Sequence, residues 1–246
     1  MRTRIFILLL LATTACGHKK KGVVRVAAAA NLTEAFKEMT AAFTRKEGIE
    51  VDVIPGSSGQ LAQKISEDAP YDVFFAANVG FTDDVIKSGD CDEASKKLYA
   101  RGKIVMWSKG EVPAALTGLP ATSGKIAIAN PDHAPYGKAA KQAMEAAGVW
   151  DQVKDRIVYG NNIEATLELA QTGNAPIAFV ALSLVLNDKS GHYAAIDEST
   201  YKPLDQAVVV CSHGRAKAGG QKFVDFVMSP DGREIMKRYG FALPGE

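Results

Sequence analysis

Short apolar runs alternate with helix-like patterns along most of the chain. The runs at residues 23–26, 51–54 and 73–76 have the length and composition of strands, and the third is apolar throughout, as in a sheet covered on both faces. A helix after the first run is predicted from apolar residues at helical spacing: Leu32, Ala35, Phe36, Met39 and Phe43. This alternation is typical of an α/β fold.

Two further strand candidates, at residues 104–107 and 207–210, enclose a block that has strand and helix patterns of its own. We therefore expect a two-lobed α/β fold of mostly parallel sheets flanked by helices and hinged by two crossing strands. Lobe one is predicted to contain residues 23–102 and 211–246, and lobe two residues 103–210. Ligands of such sheets lie beyond the carboxyl ends of the strands.

Four predicted strand-to-helix junctions carry small, neutral, hydrogen-bonding residues. They are Ala-Ala-Ala-Asn-Leu-Thr at 28–33, Pro-Gly-Ser-Ser-Gly at 55–59, Pro-Tyr-Gly at 135–137 and Gly-Asn-Asn-Ile at 160–163. Helix N-termini have unpaired N–H groups and a positive dipole end, so several that converge form an anion site without Lys, Arg or metal. The sequence therefore predicts capture of a small oxyanion. Asn31, three residues before Glu34, is also predicted to cap the first helix.

Residues 1–22 are predicted to be a signal peptide followed by a polar tether. Arg2 and Arg4 precede an apolar run at 5–12, and small residues follow that run. Cys16 follows Ala15 as in a bacterial lipoprotein cleavage site, so Cys16 is a candidate for lipidation. Ordinary cleavage with a soluble product is the alternative. Either route predicts a periplasmic or extracytoplasmic location, with or without a lipid anchor.

Composition narrows the class further. The 29 Lys and Arg residues nearly balance 28 Asp and Glu residues, which gives no nucleic-acid footprint. The four histidines are scattered without metal-ligand spacing, so we predict no cation site. Cys91 and Cys211 could pair in an oxidising compartment or remain two buried thiols, and the sequence leaves both possibilities open.

The ordered set of motifs resembles the periplasmic molybdate-binding proteins of bacterial ABC importers over essentially the whole mature chain. The matching segments are the junction at 28–33, the Ser-rich turn and Leu-Ala-x-x-Ile helix at 56–65, the Pro-x-Asp-Val-Phe strand at 70–77, the Asn-Pro to Pro-Tyr-Gly loop at 130–137, and Lys-Arg-Tyr-Gly-Phe at 237–241. Each motif alone is weak evidence for the resemblance, and the order of all the motifs along the chain makes it specific.

The resemblance implies a periplasmic-binding-protein fold that holds molybdate or tungstate between its lobes with neutral donors. Asn31 and Ser58 would offer side-chain and backbone donors from lobe one, and Tyr136 and Ile163 would offer backbone N–H groups from lobe two. A Tyr hydroxyl that some members add falls on Ala181, which cannot supply it. The resemblance further implies a monomer with no cofactor and no enzymatic activity, which delivers its ligand to a membrane permease with a separate ATPase.

Three other readings remain. The same fold could bind sulfate, phosphate or a small carboxylate, although the junctions lack the Arg that carboxylate sites favour. Phosphate sites favour an acceptor for the phosphate proton, and Asp132 and Glu164 are near two junctions. A secreted hydrolase could use Ser57 or Ser58 as its nucleophile, but Gly-Ser-Ser-Gly-Gln does not match the Gly-x-Ser-x-Gly elbow. A ligand-sensing domain for a signalling partner would share the fold.

Overall fold

The computed structural model describes residues 22–245, which form two five-stranded sheets covered by helices. The predicted signal peptide and Cys16 lie outside the described residues. The strands in chain order are β1 (Val24–Ala29), β2 (Val51–Gly56), β3 (Val73–Ala76), β4 (Cys91–Gly102), β5 (Ile104–Ser108), β6 (Ile126–Ala129), β7 (Ile157–Gly160), β8 (Ile177–Ala181), β9 (His192–Ala195) and β10 (Leu204–Cys211).

The first sheet has the order β2-β1-β3-β10-β4, and the second has the order β7-β6-β8-β5-β9. Strand β1 is parallel to β2 and β3, whereas β10 runs antiparallel to β3 and β4. In the second sheet β6 is parallel to β7 and β8, whereas β5 runs antiparallel to β8 and β9. The predicted two-lobed α/β fold is therefore confirmed, with mixed sheets in place of mostly parallel ones.

The helices pack on both faces of these sheets. In chain order they are α1 (Thr33–Glu47), α2 (Ser58–Ser66), α3 (Val79–Lys87), α4 (Pro135–Ala146), α5 (Trp150–Val153), α6 (Ile163–Gln171), α7 (Leu182–Val185), α8 (Lys217–Met228) and α9 (Pro230–Arg238). The apolar positions predicted for α1 are all buried, and the helix ends at Gly48, whose φ of 61° suits glycine. Within residues 22–245, no helix combines the length and apolarity that a membrane crossing requires.

Aromatic rings fill the layer between the first sheet and its covering helices. Phe36 of α1 packs edge-to-face against Phe75 of β3, with ring centroids 5.0 Å apart. Phe223 of α8 meets Phe36 in the same geometry at 5.6 Å. Such pairs contribute about 0.5–1.5 kcal/mol beyond the area that they bury. The C-terminal helices are thereby fixed to the first sheet, as the sequence suggested.

The chain crosses between the sheets twice, at Lys103 and along residues 196–203. Strand β10 pairs within the first sheet along its whole length, from Leu204 opposite Gly102 to Cys211 opposite Cys91. The expected boundary at residue 210 therefore falls inside a strand of the first sheet, because an apolar run alone does not say which sheet it joins. We propose that lobe one comprises residues 23–102 and 204–246 and that lobe two comprises residues 103–203.

Cys91 and Cys211, for which pairing and free thiols were both open, form a disulfide between β4 and β10. The sulfurs join residues 120 positions apart in the sequence. Closing so long a loop removes entropy from the unfolded chain, and disulfides typically add about 2–4 kcal/mol to stability.

The double variant Cys91→Ala/Cys211→Ala should unfold several degrees below the wild type, because the unfolded chain regains that entropy. Thermal unfolding with and without a reductant measures the effect. The reductant should lower the wild-type midpoint and leave the double variant unchanged. Equal midpoints for the oxidised wild type and the variant would contradict a stabilising role.

Candidate oxyanion-binding site

A small cavity lies where the two lobes meet, beyond the carboxyl ends of their strands. Its volume is about 10 Å³, roughly the room that one water-sized occupant needs. Residues of all four junctions and of two neighbouring segments line it: Ala29, Ala30, Asn31, Gly56, Ser57, Ser58, Ala77, Ala134, Pro135, Tyr136 and Ile163. The structure thus brings together the four residues predicted to bind a ligand. They are separated by up to 132 positions in the sequence.

Three helices begin at residues that line the cavity. Ser58 and Ile163 are the first residues of α2 and α6. In α4 the first residue is Pro135, which has no N–H, so Tyr136 carries the first donor of that helix. N–H groups in the first turn have no partner within their helix. Three helix N-termini from two lobes therefore direct positive dipole ends at one cavity.

The side chains that cap α2 and α6 leave these donors available. Ser57 caps α2 by accepting a hydrogen bond from the N–H of Gln60, and Asn162 caps α6 by accepting one from Ala165 at 2.9 Å. Each cap therefore satisfies the N–H of the third residue of its helix. The N–H groups of Ser58 and Ile163, at the cavity, are not used by the caps.

The cavity wall is uncharged: each of the lining residues is neutral at pH 7. Burial raises the pKa of the Tyr136 hydroxyl, which therefore stays protonated at physiological pH. Glu164, at the start of α6, accepts a hydrogen bond from Thr33 Oγ1 at 3.1 Å and is not part of the wall. Attraction for an anion must therefore come from hydrogen-bond donors and helix dipoles.

Ser58 has a hydroxyl suited to this role. Its Oγ accepts the backbone N–H of Ala77 at 3.0 Å, and both residues are buried. This bond uses an oxygen lone pair and leaves the hydroxyl hydrogen free to donate. Together with its backbone N–H, Ser58 can offer two donors to one ligand.

Asn31 does not cap the first helix, contrary to the prediction. It lies in a 3₁₀ turn, Ala30–Leu32, and α1 begins at Thr33 without a side-chain cap. The Asn31 side chain instead donates from Nδ2 to Oε1 of Gln206 at 3.0 Å. A buried long-range partner has replaced the local one that the sequence pattern suggested. Asn31 Oδ1 is buried and has no hydrogen-bond partner among the described residues.

Gln206 is the site residue that sequence reasoning missed. Its side chain is fully buried and binds three groups: Asn31, Tyr99 and Tyr136. The Tyr99 hydroxyl donates to Gln206 Oε1 at 2.7 Å, and Gln206 Nε2 donates to the Tyr136 hydroxyl at 3.1 Å. The one available signal was a polar residue within the apolar pattern of β10. Ala181, where some relatives would place a Tyr, is fully buried in the β5–β8 ladder.

The two lobes touch around the cavity through several polar contacts. Ser57 Oγ lies 2.8 Å from His133 Nδ1, and the N–H of Gly59 donates to the His133 carbonyl at 2.9 Å. On another side Ser183 Oγ donates to the Asn31 carbonyl at 2.7 Å. These bonds join residues of opposite lobes, so the structure is a closed arrangement.

The Ser57–His133 pair has the separation of a nucleophile and its base, which the sequence could not establish. A hydrolase also needs a group that orients the histidine and room for a substrate. Among residues 22–245, no carboxylate hydrogen-bonds to the other ring nitrogen of His133, and neighbouring Asp132 is exposed. The geometry therefore favours binding over acyl transfer.

One histidine cluster was also not foreseen. His213 Nε2 lies 3.1 Å from an oxygen of Asp90 and 3.4 Å from one of Asp68. The pKa of the Asp90 carboxyl is lowered, mainly by its hydrogen bond from Ser88 and further by His213. These three residues could approach a cation, since their ligand atoms lie within 4.8 Å of one another. None of them lines the cavity, and the ion pairs themselves account for the cluster.

Known proteins that are similar to this chain include molybdate-binding proteins and a putative ABC transporter lipoprotein. A molybdate-binding protein, ModA, of Rhodobacter capsulatus is 36% identical over 222 residues, which are 89% of this chain and 88% of that protein. The solved periplasmic molybdate-binding protein of Azotobacter vinelandii superposes with a TM-score of 0.85 at 28% identity, covering 90% of this chain and 99% of that one. A putative ABC transporter substrate-binding lipoprotein, YvgL, of Bacillus subtilis is 26% identical over 91% of this chain and 87% of that protein.

Two lobes, two chain crossings and a small uncharged cavity at their junction are the features of a solute-binding protein. The chain belongs to the bacterial extracellular solute-binding protein family, whose model matches residues 24–242. The resemblance that the ordered motifs suggested is thereby confirmed.

The closed arrangement makes Gly59 a test position. A Cβ built there would lie 2.9 Å from the Cβ and the carbonyl oxygen of His133, closer than real Cβ contacts come. Gly59→Ala should therefore hold the lobes apart, while alanine suits helix α2. With the anion that the wild type binds, small-angle scattering should give a larger radius of gyration for the variant, and affinity should fall.

Gly110→Ala is the matched control, because the nearest atom to its new Cβ would be 3.9 Å away. The control should close like the wild type. An anion-bound Gly59→Ala protein as compact as the wild type would show that this contact is not needed for closure.

Proposed function

We propose that this chain captures molybdate, and tungstate with comparable strength, between its lobes and delivers it to an ABC permease. The observation that carries the proposal is the convergence of three helix N-termini, Asn31 and Ser58 on one uncharged cavity. The molybdate-binding relatives of Rhodobacter capsulatus and Azotobacter vinelandii support the same ligand. Asn31, Ser58, Tyr136 and Ile163 are the residues that we assign to the ligand.

Hydrogen bonds account for tight binding without a cation. A dianion that enters the cavity loses its water shell, and hydrogen bonds that involve a charged group return roughly 1.5–3 kcal/mol each. About six or seven converging donors are then enough for firm capture. Ser58 can give a side-chain and a backbone donor, and Tyr136 and Ile163 each give a backbone N–H. Asn31 can add its backbone N–H and the Nδ2 hydrogen that Gln206 does not bind, which brings the donors to six.

Fixed donors also measure the size of the ligand. Sulfate has the same charge and shape as molybdate but is smaller, so it would leave some donors unpaired in a dry cleft. Tungstate is nearly the size of molybdate and should bind comparably. The inter-lobe bonds at His133 and Ser183 limit how far the lobes can adjust around a smaller ion.

Transport follows from lobe closure. The closed form buries the ion and presents both lobes together, which is the state that a membrane permease with its separate ATPase would recognise. The chain would act as an exported monomer without enzymatic activity, cofactor or nucleic-acid partner, and molybdenum would enter only as its oxyanion. The periplasmic relative supports an extracytoplasmic location, and the lipoprotein relative supports a lipid anchor at Cys16.

The other readings are less well supported. Phosphate sites favour an acceptor for the phosphate proton, and the two candidates, Asp132 and Glu164, are not part of the cavity wall. A carboxylate ligand would favour Arg, and the wall has none among its described residues. A serine hydrolase would label with a fluorophosphonate probe at Ser57, and we expect no labelling.

A thermal-unfolding screen against molybdate, tungstate, sulfate, phosphate and small carboxylates tests the ligand. An anion at about 100 times its dissociation constant adds roughly 2.7 kcal/mol to stability, which should raise the midpoint by several degrees. We expect this shift with molybdate and tungstate and a much smaller one with sulfate. If another anion raises the midpoint and the two metal oxyanions do not, the assigned fold stands and the assigned ligand is wrong.

Ser58→Ala should weaken molybdate binding by about tenfold or more, because it removes a hydrogen bond to a charged ligand. Isothermal titration calorimetry measures the change. The substitution also leaves the buried N–H of Ala77 without its acceptor, so stability should fall as well.

Ser95→Ala separates these two effects. Ser95 is likewise buried, and its Oγ accepts the backbone N–H of Val210 at 2.8 Å, but it lies outside the cavity. This control should lose stability and keep its molybdate affinity. Unchanged affinity in a folded Ser58→Ala protein would refute the assignment of Ser58.

A further inference from the structure

We propose that Gln206 is a positioning residue that fixes the Asn31 amide for the ligand and links its orientation to closure of the lobes. This inference rests on the proposed function and extends it to a residue outside the cavity wall. Gln206 lies on β10, two positions after that strand begins at the chain crossing, and its side chain is fully buried.

The local backbone directs this side chain inward. The register between β10 and β4 shifts between Gln206 and Ala207, so the ladder is irregular at this residue. Irregularities of this kind often re-aim a side chain next to a functional site. Gly102, on the facing strand, has no Cβ, and a Cβ there would collide with the Tyr136 hydroxyl and with Gln206 Nε2. The absence of a side chain at Gly102 therefore leaves room at the chain crossing for the side chains of Tyr136 and Gln206 to meet.

The hydrogen bonds of Gln206 determine which way its amide faces. Oε1 accepts from the Tyr99 hydroxyl at 2.7 Å and from Asn31 Nδ2 at 3.0 Å. Nε2 donates to the Tyr136 hydroxyl at 3.1 Å. Burial raises the pKa of both tyrosine hydroxyls, so both remain protonated. The amide oxygen thus receives two donors. The Tyr99 hydroxyl also lies 3.3 Å from the carbonyl oxygen of Ala76, so the bond from Asn31 Nδ2 is the one that a reversed Gln206 amide would lose.

This fixed oxygen in turn orients Asn31. An asparagine amide has a donor end and an acceptor end, and only the donor end attracts an anion. Because Gln206 Oε1 accepts a hydrogen bond, it holds Nδ2 rather than Oδ1 on its side. Nδ2 has two hydrogens, and we assign the one that Gln206 does not bind to the ligand. Without Gln206 the amide could rotate and turn its oxygen toward the anion.

The same amide joins the two lobes. Asn31 and Tyr99 belong to lobe one, whereas Tyr136 lies in the first turn of α4, which supplies a donor from lobe two. The bond from Nε2 to Tyr136 forms only when the lobes are together, as they are in this structure. Closure therefore fixes the amide of Gln206, and that amide fixes Asn31. Binding and closure are coupled through one buried side chain.

A double-mutant cycle tests this coupling. Gln206→Met keeps most of the side-chain volume and removes every hydrogen bond, so we expect about a tenfold weaker affinity for molybdate. Asn31→Ala should weaken binding to a similar extent in the wild type and by twofold or less in the Gln206→Met background. Such non-additivity in ligand affinity is expected when the two residues act on the ligand through one hydrogen-bond network, and it is not expected when they act independently. Titration calorimetry of the four proteins in full-length form gives the affinities.

Two comparisons separate positioning from general destabilisation. Gln142→Met is a matched control, because Gln142 lies on α4, bonds to the backbone of Lys202 and is outside the cavity. It should bind like the wild type. The ratio of molybdate to sulfate affinity should fall in Gln206→Met, since a misoriented donor degrades the fit to the larger ion. If Gln206→Met fails to fold, Tyr136→Phe breaks the lobe-two end of the same bridge and keeps the Tyr136 N–H.

The outcomes are distinct. An equal effect of Asn31→Ala in both backgrounds, or unchanged affinity in a folded Gln206→Met protein, would overturn the positioning role. If the wild type binds another anion of the panel in place of molybdate, the proposed cargo fails. The double-mutant cycle, repeated with that anion as the ligand, then tests the positioning role of Gln206. Binding of none of these anions would overturn both proposals.

Discussion

The site depends on one constraint: an ion with two negative charges must leave water and enter a wall that has no positive side chain. Only oriented donors can replace the lost water, and helix starts provide them at fixed positions without extra charge. Proline at the start of α4 and small residues at the other junctions bring backbone close to the cavity. The strand-to-helix order of the whole fold serves to aim these helix starts at one point.

A second requirement follows from the first. Donors from two lobes converge only if the lobes meet in a defined way, and the bonds at His133, Ser183 and Gln206 define that meeting. Each of these bonds joins residues far apart in sequence, and each is next to a residue of the cavity wall. The neutral network around Gln206 is also fully buried, where satisfied hydrogen bonds favour one arrangement over its alternatives. Selectivity for an ion thus depends on hydrogen bonds between protein groups that do not contact the ion.

Local features of the sequence predicted the α/β fold and named four residues that line the cavity. Helical spacing located α1, and the junction motifs supplied Asn31, Ser58, Tyr136 and Ile163, which the structure brings together. Long-range features were not predictable in this way. The capping pattern at Asn31 gave no sign that Gln206 would bind its amide. Nor did the apolar run of β10 indicate which sheet it joins, and the pairing of Cys91 with Cys211 needed the β4–β10 register.

Strand β10 also has a mechanical consequence. One end of the β4–β10 ribbon is held by a covalent cross-link between Cys91 and Cys211, and the other end, at Gly102 and Leu204, is where the chain leaves for lobe two. A ribbon clamped at its far end resists shear between its strands. Bending is then concentrated at Lys103 and residues 196–203 instead of spreading into lobe one. The oxidised state of the compartment would thus stiffen the base on which the second lobe turns.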